Sequence, residues 1–593
     1  MLAACAACAW TAPAAAQEFD SSPELSYPGA GSAVASPPVF GASTLPSVGS
    51  GVRVGDLRPQ LQQLLPRATL PRSIAPAIQF TPSIGVDVGF TDNAARNASG
   101  SGGADVFTLI TPSILVSGDT RRVQANFAYS PTVELYASTP NTNRINHFLN
   151  AGAVISVIPD RLFVDLRGSV TQQSVFGGFS AGTATPSGAS TLNRRDQTTT
   201  ASVFVSPYYV QRLGGYGTGQ LAYSLSYVDQ GNLNRSTLVG GTAVDPVTGS
   251  PLGAGTVIDP VTGLPLGAAR GRDIGNLLTH REIATFTSGE ELGRIRSTLT
   301  LSATQYDGSG PYRNAHRNEV ALDNAYAITR TIAVLGAIGY QNLRYDTIPR
   351  TRVDEPLWNV GVRFAPNPED FVSIRYGRRD GFNDFAADIS YQTTPRTRVF
   401  LRYSNGLSTD LEEASNLLAS TQVDTFGNTV DTATGRPVLG TTSNFFGIQD
   451  NLFRLRRLSA SGLLLLDRDV FTLSLVHETR TLVGRSPTAT LTSSGTSGNG
   501  LYTTLQWQHD LAPDLQSQVT LQFGTRDDDG GFTAAGVAAR TRSDRVISAA
   551  ASLNYQLCQT ISTRALYQFS NISGNGTGDL TQNLVLVGLR KTF

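Results

Sequence analysis

The residues of this chain with the type and spacing to do chemistry are arginines and carboxylates on alternating positions. Arg363 sits between Val362 and Phe364, in a run with Trp358 and Val360. In a strand, successive side chains take opposite faces. If the apolar set meets lipid, Arg363 points inward. The same reading turns Arg375, Arg398, Arg402, Arg454 and Arg456 inward, with Asp384 and Asp388 on the intervening strand. Asp165, Glu319 and Asp323, on earlier strands, are expected to form a facing acidic wall. Two outcomes stay open. A cross-strand Arg–Asp ladder would stiffen the wall. A basic wall would favour anions or acidic sugars, because charges lining a pore set its selectivity.

Other chemistry is poorly represented. The histidines, His147, His280, His316, His477 and His509, do not pair at metal-ligand spacing. Asp527-Asp528-Asp529-Gly530 resembles the start of a calcium loop but lacks the bidentate Glu at the required distance. Gly215, Gly217 and Gly219 lie in a tight turn and open no helix, so they do not cradle a phosphate. Cys5 and Cys8 fall in the leader, which leaves Cys558 alone and rules out a disulfide framework. The reading is of a non-enzyme without cofactor or metal.

These residues must be held by strands. From about residue 83 the pattern is period two. Ile84, Val86, Val88 and Phe90 alternate with Ser83, Gly85, Asp87 and Gly89, and Leu221, Tyr223, Leu225 and Tyr227 with Ala222, Ser224 and Ser226. The longest aliphatic run is Leu463 to Leu466, far short of a membrane helix. Transmembrane strands need only about 9–11 residues, apolar on alternate positions. The connections separate a membrane barrel from a soluble sandwich. Tight turns at Ile158–Arg161, Thr329–Thr331, Pro366–Asp370, Asp467–Asp469 and Ala512–Asp514 alternate strictly with long loops near 173–197, 230–273, 405–450, 481–499 and 525–543. That asymmetry belongs to outer-membrane barrels. The expectation is all-β: a single large antiparallel transmembrane β-barrel of about 22 strands, within roughly 18 to 24, over residues 77–593.

The flanks read differently. Ala14-Ala15-Ala16 before Gln17 has the form of a cleavage site, so residues 1–16 read as a signal-peptide remnant whose true start lies upstream of Met1. The rival is a lipoprotein site at Leu2-Ala3-Ala4-Cys5, with Cys5 lipidated. Residues 17–76, rich in Pro, Gly, Ser and Ala, are expected to be a disordered periplasmic linker. At the other end, Leu584 to Phe593 is a terminal strand closing on an aromatic. Gly588, Leu589 and Phe593 are its candidate membrane-insertion signal, although Lys591 stands where an apolar residue is usual. A loop unit, Asp245 to Gly253, recurs from Asp259 to Gly267 and in degenerate form from Asp431 to Pro437, as duplicated turn sequence.

Charge sets the partners. The 46 basic residues balance 46 acidic ones, which argues against nucleic-acid binding. Every basic residue but Lys591 is Arg. Outer-membrane lipid, lipopolysaccharide and the barrel-insertion machinery are the expected partners of a Gram-negative outer-membrane protein with external loops and a periplasmic N-terminus.

Thr81-Pro82-Ser83-Ile84 followed by Thr91-Asp92-Asn93 resembles the opening of the putative beta-barrel porin family, which includes outer-membrane proteins linked to exosortase and exopolysaccharide systems. Thr111-Pro112-Ser113-Ile114, Tyr376-Gly377-Arg378-Arg379-Asp380-Gly381, Pro395-Arg396-Thr397 and the closing Gln582-Asn583 to Phe593 carry the same resemblance. It implies an outer-membrane barrel and possible partners among polysaccharide-export components. It supplies no catalytic residues and no substrate. The resulting expectation is a porin-like passive channel for small solutes or a conduit for exopolysaccharide. The alternative is a non-conducting scaffold barrel whose loops bind a partner. Inward-folded loops would favour the second.

Overall fold

The computed structural model describes residues 78–94, 103–120, 122–174, 197–231, 257–258, 265–266, 275–367, 370–423, 429–431, 451–487, 497–528, 542–574 and 579–593. The expected signal remnant, Cys5, the linker and most of the loop repeats lie outside these residues. Of the second copy Pro265 and Leu266 are described, paired antiparallel with Ile258 and Val257.

The sheet is one antiparallel ring of 22 strands. In chain order they are β1 (Ile78–Thr91), β2 (Asp105–Asp119), β3 (Val123–Tyr129 and Thr132–Tyr136), β4 (Arg144–Asn146 and Leu149–Ile158), β5 (Leu162–Ser174), β6 (Gln197–Arg212), β7 (Gly217–Gln230) and β8 (Asn276–Ser288). There follow β9 (Ile295–Gly308), β10 (Ala315–Ala327), β11 (Ile332–Tyr345), β12 (Thr351–Phe364), β13 (Phe371–Arg379), β14 (Phe382–Thr394) and β15 (Thr397–Ser408). After a helix, α1 (Asp410–Ser420), come β16 (Leu452–Leu465), β17 (Asp469–Gly484), β18 (Gly498–Ala512), β19 (Leu515–Asp528), β20 (Arg542–Cys558), β21 (Ile561–Gly574) and β22 (Leu580–Thr592). Each strand pairs with its sequence neighbour, and β22 closes on β1.

Closure depends on one glycine. Gly588 lies directly between Asp87 on β1 and Arg564 on β21. The Asp87 carboxylate crosses it to the Arg564 guanidinium, 2.6 Å away. A Cβ at position 588 would overlap that carboxylate. Leu589 points outward, and the Phe593 amide donates to the Pro82 carbonyl at 2.9 Å. The two Thr-Pro-Ser-Ile copies lie side by side, with Ser83 opposite Ser113.

Period-two alternation has a physical outlet here. Val86, Val88, Phe90, Val585, Val587 and Leu589 are exposed on the outer face, while Asp87 between them is buried. The same outward apolar set continues through Val320, Ile338, Trp358, Val360 and Val362. A soluble monomer does not expose apolar surface around its whole girth. An outer band meeting lipid accounts for it. The chain is therefore a transmembrane β-barrel of the outer-membrane type.

The two rims differ, but less regularly than the sequence suggests. The rim carrying both ends of the barrel has only short turns. The opposite rim carries the long loops, yet four of its connections have six residues or fewer: 309–314, 346–350, 380–381 and 575–579. Strict alternation of short and long is corrected there. Asp380 and Gly381, both at positive φ, make a two-residue hairpin turn.

Candidate functional site in the barrel lumen

The segment read as a long loop at 405–450 contains α1, and α1 lies inside the barrel. Thr409 caps it: the Glu412 amide donates to Thr409 Oγ1 at 3.2 Å and the Glu413 amide to the Thr409 carbonyl at 2.9 Å. The acidic first turn, Asp410, Glu412 and Glu413, complements the positive end of the helix dipole. Leu411 and Ala414 pack on the apolar lining described below. The signal was present in the sequence, since Thr409-x-x-Glu412 has the form of a capping box.

Each first-turn carboxylate is held. Asp410 accepts from Arg480 on β17 at 2.8 Å, and Arg480 also reaches Glu478 at 2.6 Å. Glu478 meets Arg457 on β16 at 2.9 Å, and Arg457 returns to Glu413 at 3.1 Å. This closed chain of alternating charge ties the helix to one wall. Glu412 faces another way and accepts from the Tyr306 hydroxyl at 2.7 Å and the Tyr345 hydroxyl at 3.2 Å. Burial pushes the Glu412 carboxyl above its usual range, opposed by the Arg317 charge and the two phenol bonds.

The helix then crosses the lumen. Ser415 shares a hydrogen bond with Ser226 on β7 at 2.7 Å. Arg167 on β5 donates to the Leu418 carbonyl at 3.3 Å, a cation at the negative end of the dipole. Strand β5 stands ten places from β15 in the ring of 22, so α1 reaches the far wall. A second obstruction is the tip of the β13–β14 hairpin. Asp380, buried, accepts from Arg317 at 2.9 Å and from the Leu407 amide at 3.1 Å. Above it, the 346–350 connection reaches β17, where Ile348 and Arg485 exchange backbone hydrogen bonds of 2.8 and 3.0 Å. Val228, Leu277, Tyr306, Leu343, Tyr345, Leu407, Leu411 and Leu452 form an apolar cluster around these pieces. The loop-rim mouth is thus packed like a protein core.

The sequence-derived wall residues distribute as follows. Asp165 pairs with Arg167 at 2.6 Å, Arg375 with Asp323 at 2.9 Å, and Arg379 with Glu319. Arg363 is buried on the inner face with its guanidinium 4.9 Å from the centre of the Phe371 ring. Asp388 stands directly opposite Arg402, and Arg398 lies on that face against Phe400. Arg454 and Arg456 alternate with Leu455 and Arg457 along β16, and the Arg454 guanidinium lies 4.1 Å from the centre of the Phe382 ring. Both take Asp384, at 3.0 and 3.4 Å. Asp384 lies on β14 beyond the last β14–β15 pair, Ala387 with Tyr403.

The remaining arc of the wall was not singled out from sequence. Between the Arg526–Asp544 pair at the loop end (2.7 Å) and the Arg564–Asp87 pair at the turn end, the inner face of β18–β21 presents amides and hydroxyls such as Thr504, Gln506, Thr520, Gln522, Ser548 and Gln568.

No family model matches the chain, and no curated protein does. The resemblance to the putative beta-barrel porin family therefore stands only at the level of an outer-membrane barrel. Among solved structures, the siderophore receptor PirA from Acinetobacter baumannii is 8% identical over 87% of this chain and 80% of its own, at a TM-score of 0.45. The ferric-catecholate import receptor Fiu from E. coli K12 (open form) is 12% identical over 86% and 81%, at 0.46. The FrpB iron transporter of Neisseria meningitidis (F5-1 variant) is 9% identical over 93% and 87%, at 0.43. At such identities and TM-scores the likeness carries no conclusion about cargo or coupling.

Proposed function

We propose that this protein is a gated outer-membrane conduit, shut at one mouth by its own chain and passing solute only when α1 leaves the lumen. The observation that carries this reading is α1 crossing the lumen with every first-turn carboxylate bonded to the wall. A barrel of this strand number has a lumen wide enough to need a plug, and here a loop helix supplies it. In this reading the short-turn rim, with the N-terminus, faces the periplasm and the long loops face outward. A permanently open porin gives way to a closed state, and the inward-folded α1 equally meets the expectation set out for a scaffold barrel. Nothing described in the lumen favours export over import, or export components as partners. The Arg–acid pairs favour the wall-stiffening role of the arginines over an anion filter.

Planar-bilayer conductance of the refolded protein tests it. The native chain is expected to be quiet, and a variant with residues 410–420 replaced by a Gly/Ser linker is expected to give large steady steps. Steady conduction by the native chain would refute gating. Silence of both, with folded heat-modifiable protein, would leave the scaffold reading.

A further inference from the structure

We infer that the uncharged arc of the lumen is a binding track for neutral, hydroxyl-rich solutes, saccharides in chemical class. The inference rests on the reading of the barrel as a gated conduit and names what that conduit would take.

One row of inner-face side chains crosses seven consecutive strands in register. Ser461 is opposite Ser474, Ser474 opposite Thr504, and Thr504 opposite Gln522. Gln522 is opposite Ser548, Ser548 opposite Ser570, and Ser570 opposite Gln582. Every member is a hydroxyl or a primary amide. The row lies four residues below Glu478 along β17, about 13 Å toward the short-turn rim. At β17 it is beyond the plug, and it climbs across the tilted strands so that Gln582, the third residue of β22, lies near the loop rim with its amide donating to Thr91 Oγ1 at 3.0 Å.

The second observation is that this arc holds polar atoms without partners. Ser461 Oγ, Thr504 Oγ1, Gln522 Oε1 and both amide atoms of Gln568 make no hydrogen bond. Gln568 is 2% exposed and Gln522 7%. A buried amide without a partner is costly, and a hydroxyl, donor and acceptor at once, satisfies either end of it. On the opposite arc several cations are engaged by the protein's own carboxylates, as in Arg375 with Asp323 and Arg379 with Glu319. An anion would have to displace those carboxylates. A neutral polyol needs to displace nothing.

The test uses the full chain refolded in detergent and its 410–420 linker variant, with maltohexaose as the neutral probe and an oligogalacturonate of equal length as the anionic one. Binding is read as the rise in the midpoint of heat modification, and separately as current blockade. The neutral probe is expected to bind, and Gln522→Leu with Gln568→Leu is expected to raise its Kd about tenfold. Equal or tighter binding of the anionic probe overturns the inference, as does unchanged binding by the double variant. If the linker variant does not fold, Arg480→Gln replaces it. Because the midpoint needs no conduction, binding without current sinks the conduit and keeps the track, whereas current without binding does the reverse.

Discussion

Two arcs of the same wall use polar residues in opposite ways. From β9 to β17 the inner face is built of arginines and carboxylates, and nearly all the contacts described run between them or to α1. From β18 to β21 the middle of the wall is amide and hydroxyl, with several atoms left unpaired. A buried charge must find its counter-charge, so a charged wall fixes whatever it touches. A buried amide can wait for a ligand at lower cost. The difference teaches that charge in this lumen marks the part that is held, and that the neutral arc marks the part left free.

The sharpest way to break the comparison lies where the ring closes. Gly588→Val is expected to abolish folded, heat-modifiable barrel, because its side chain would occupy the Asp87 carboxylate position; normal migration on gels would remove the seam from the account. Next is Arg480→Ala. It leaves Asp410 buried without its cation and Glu478 with Arg457 alone, a loss of about 3–5 kcal/mol in docking. Frequent channel opening should follow, and an unchanged closed record would show that the charge chain is not what holds α1. Thr409→Ala removes the cap and should weaken docking by about 1 kcal/mol, read as a modest rise in open probability. In the neutral arc, Gln522→Leu should change the unfolding midpoint by an amount equivalent to less than about 1 kcal/mol. A loss as large as that of Arg480→Ala would erase the distinction between the arcs.

The smallest effect expected is one of pH. Docking raises the Glu412 carboxyl above its ordinary value, so the docked state holds the extra proton. Its contribution to docking is present below the ordinary carboxyl range and is lost as pH rises through the raised value. Around Glu412 stand Tyr306, Tyr345, Arg317, Asp380 and Glu413. Open probability should rise with pH across that window in the native chain and stay flat in Glu412→Gln. Equal slopes in the two would assign the dependence to other groups.

The sequence by itself determined the strands, the antiparallel order and the apolar outer band, because a period-two pattern has one lipid-facing solution and each short turn forces the next strand back beside the last. It also carried the Asp380-Gly381 hairpin and the Thr409 cap as local signals. Only the tertiary structure decided what the inner face meets. Leu277, Leu343, Phe453 and Leu455 face inward because α1 and the β13–β14 tip fill the loop-rim mouth. There the apolar-out code fails. Partner choice was equally illegible. Arg167 with Leu418, and Asp410 with Arg480, join residues 251 and 70 positions apart. No local pattern records such pairs, because they exist only once the ring has closed around the segment that crosses it.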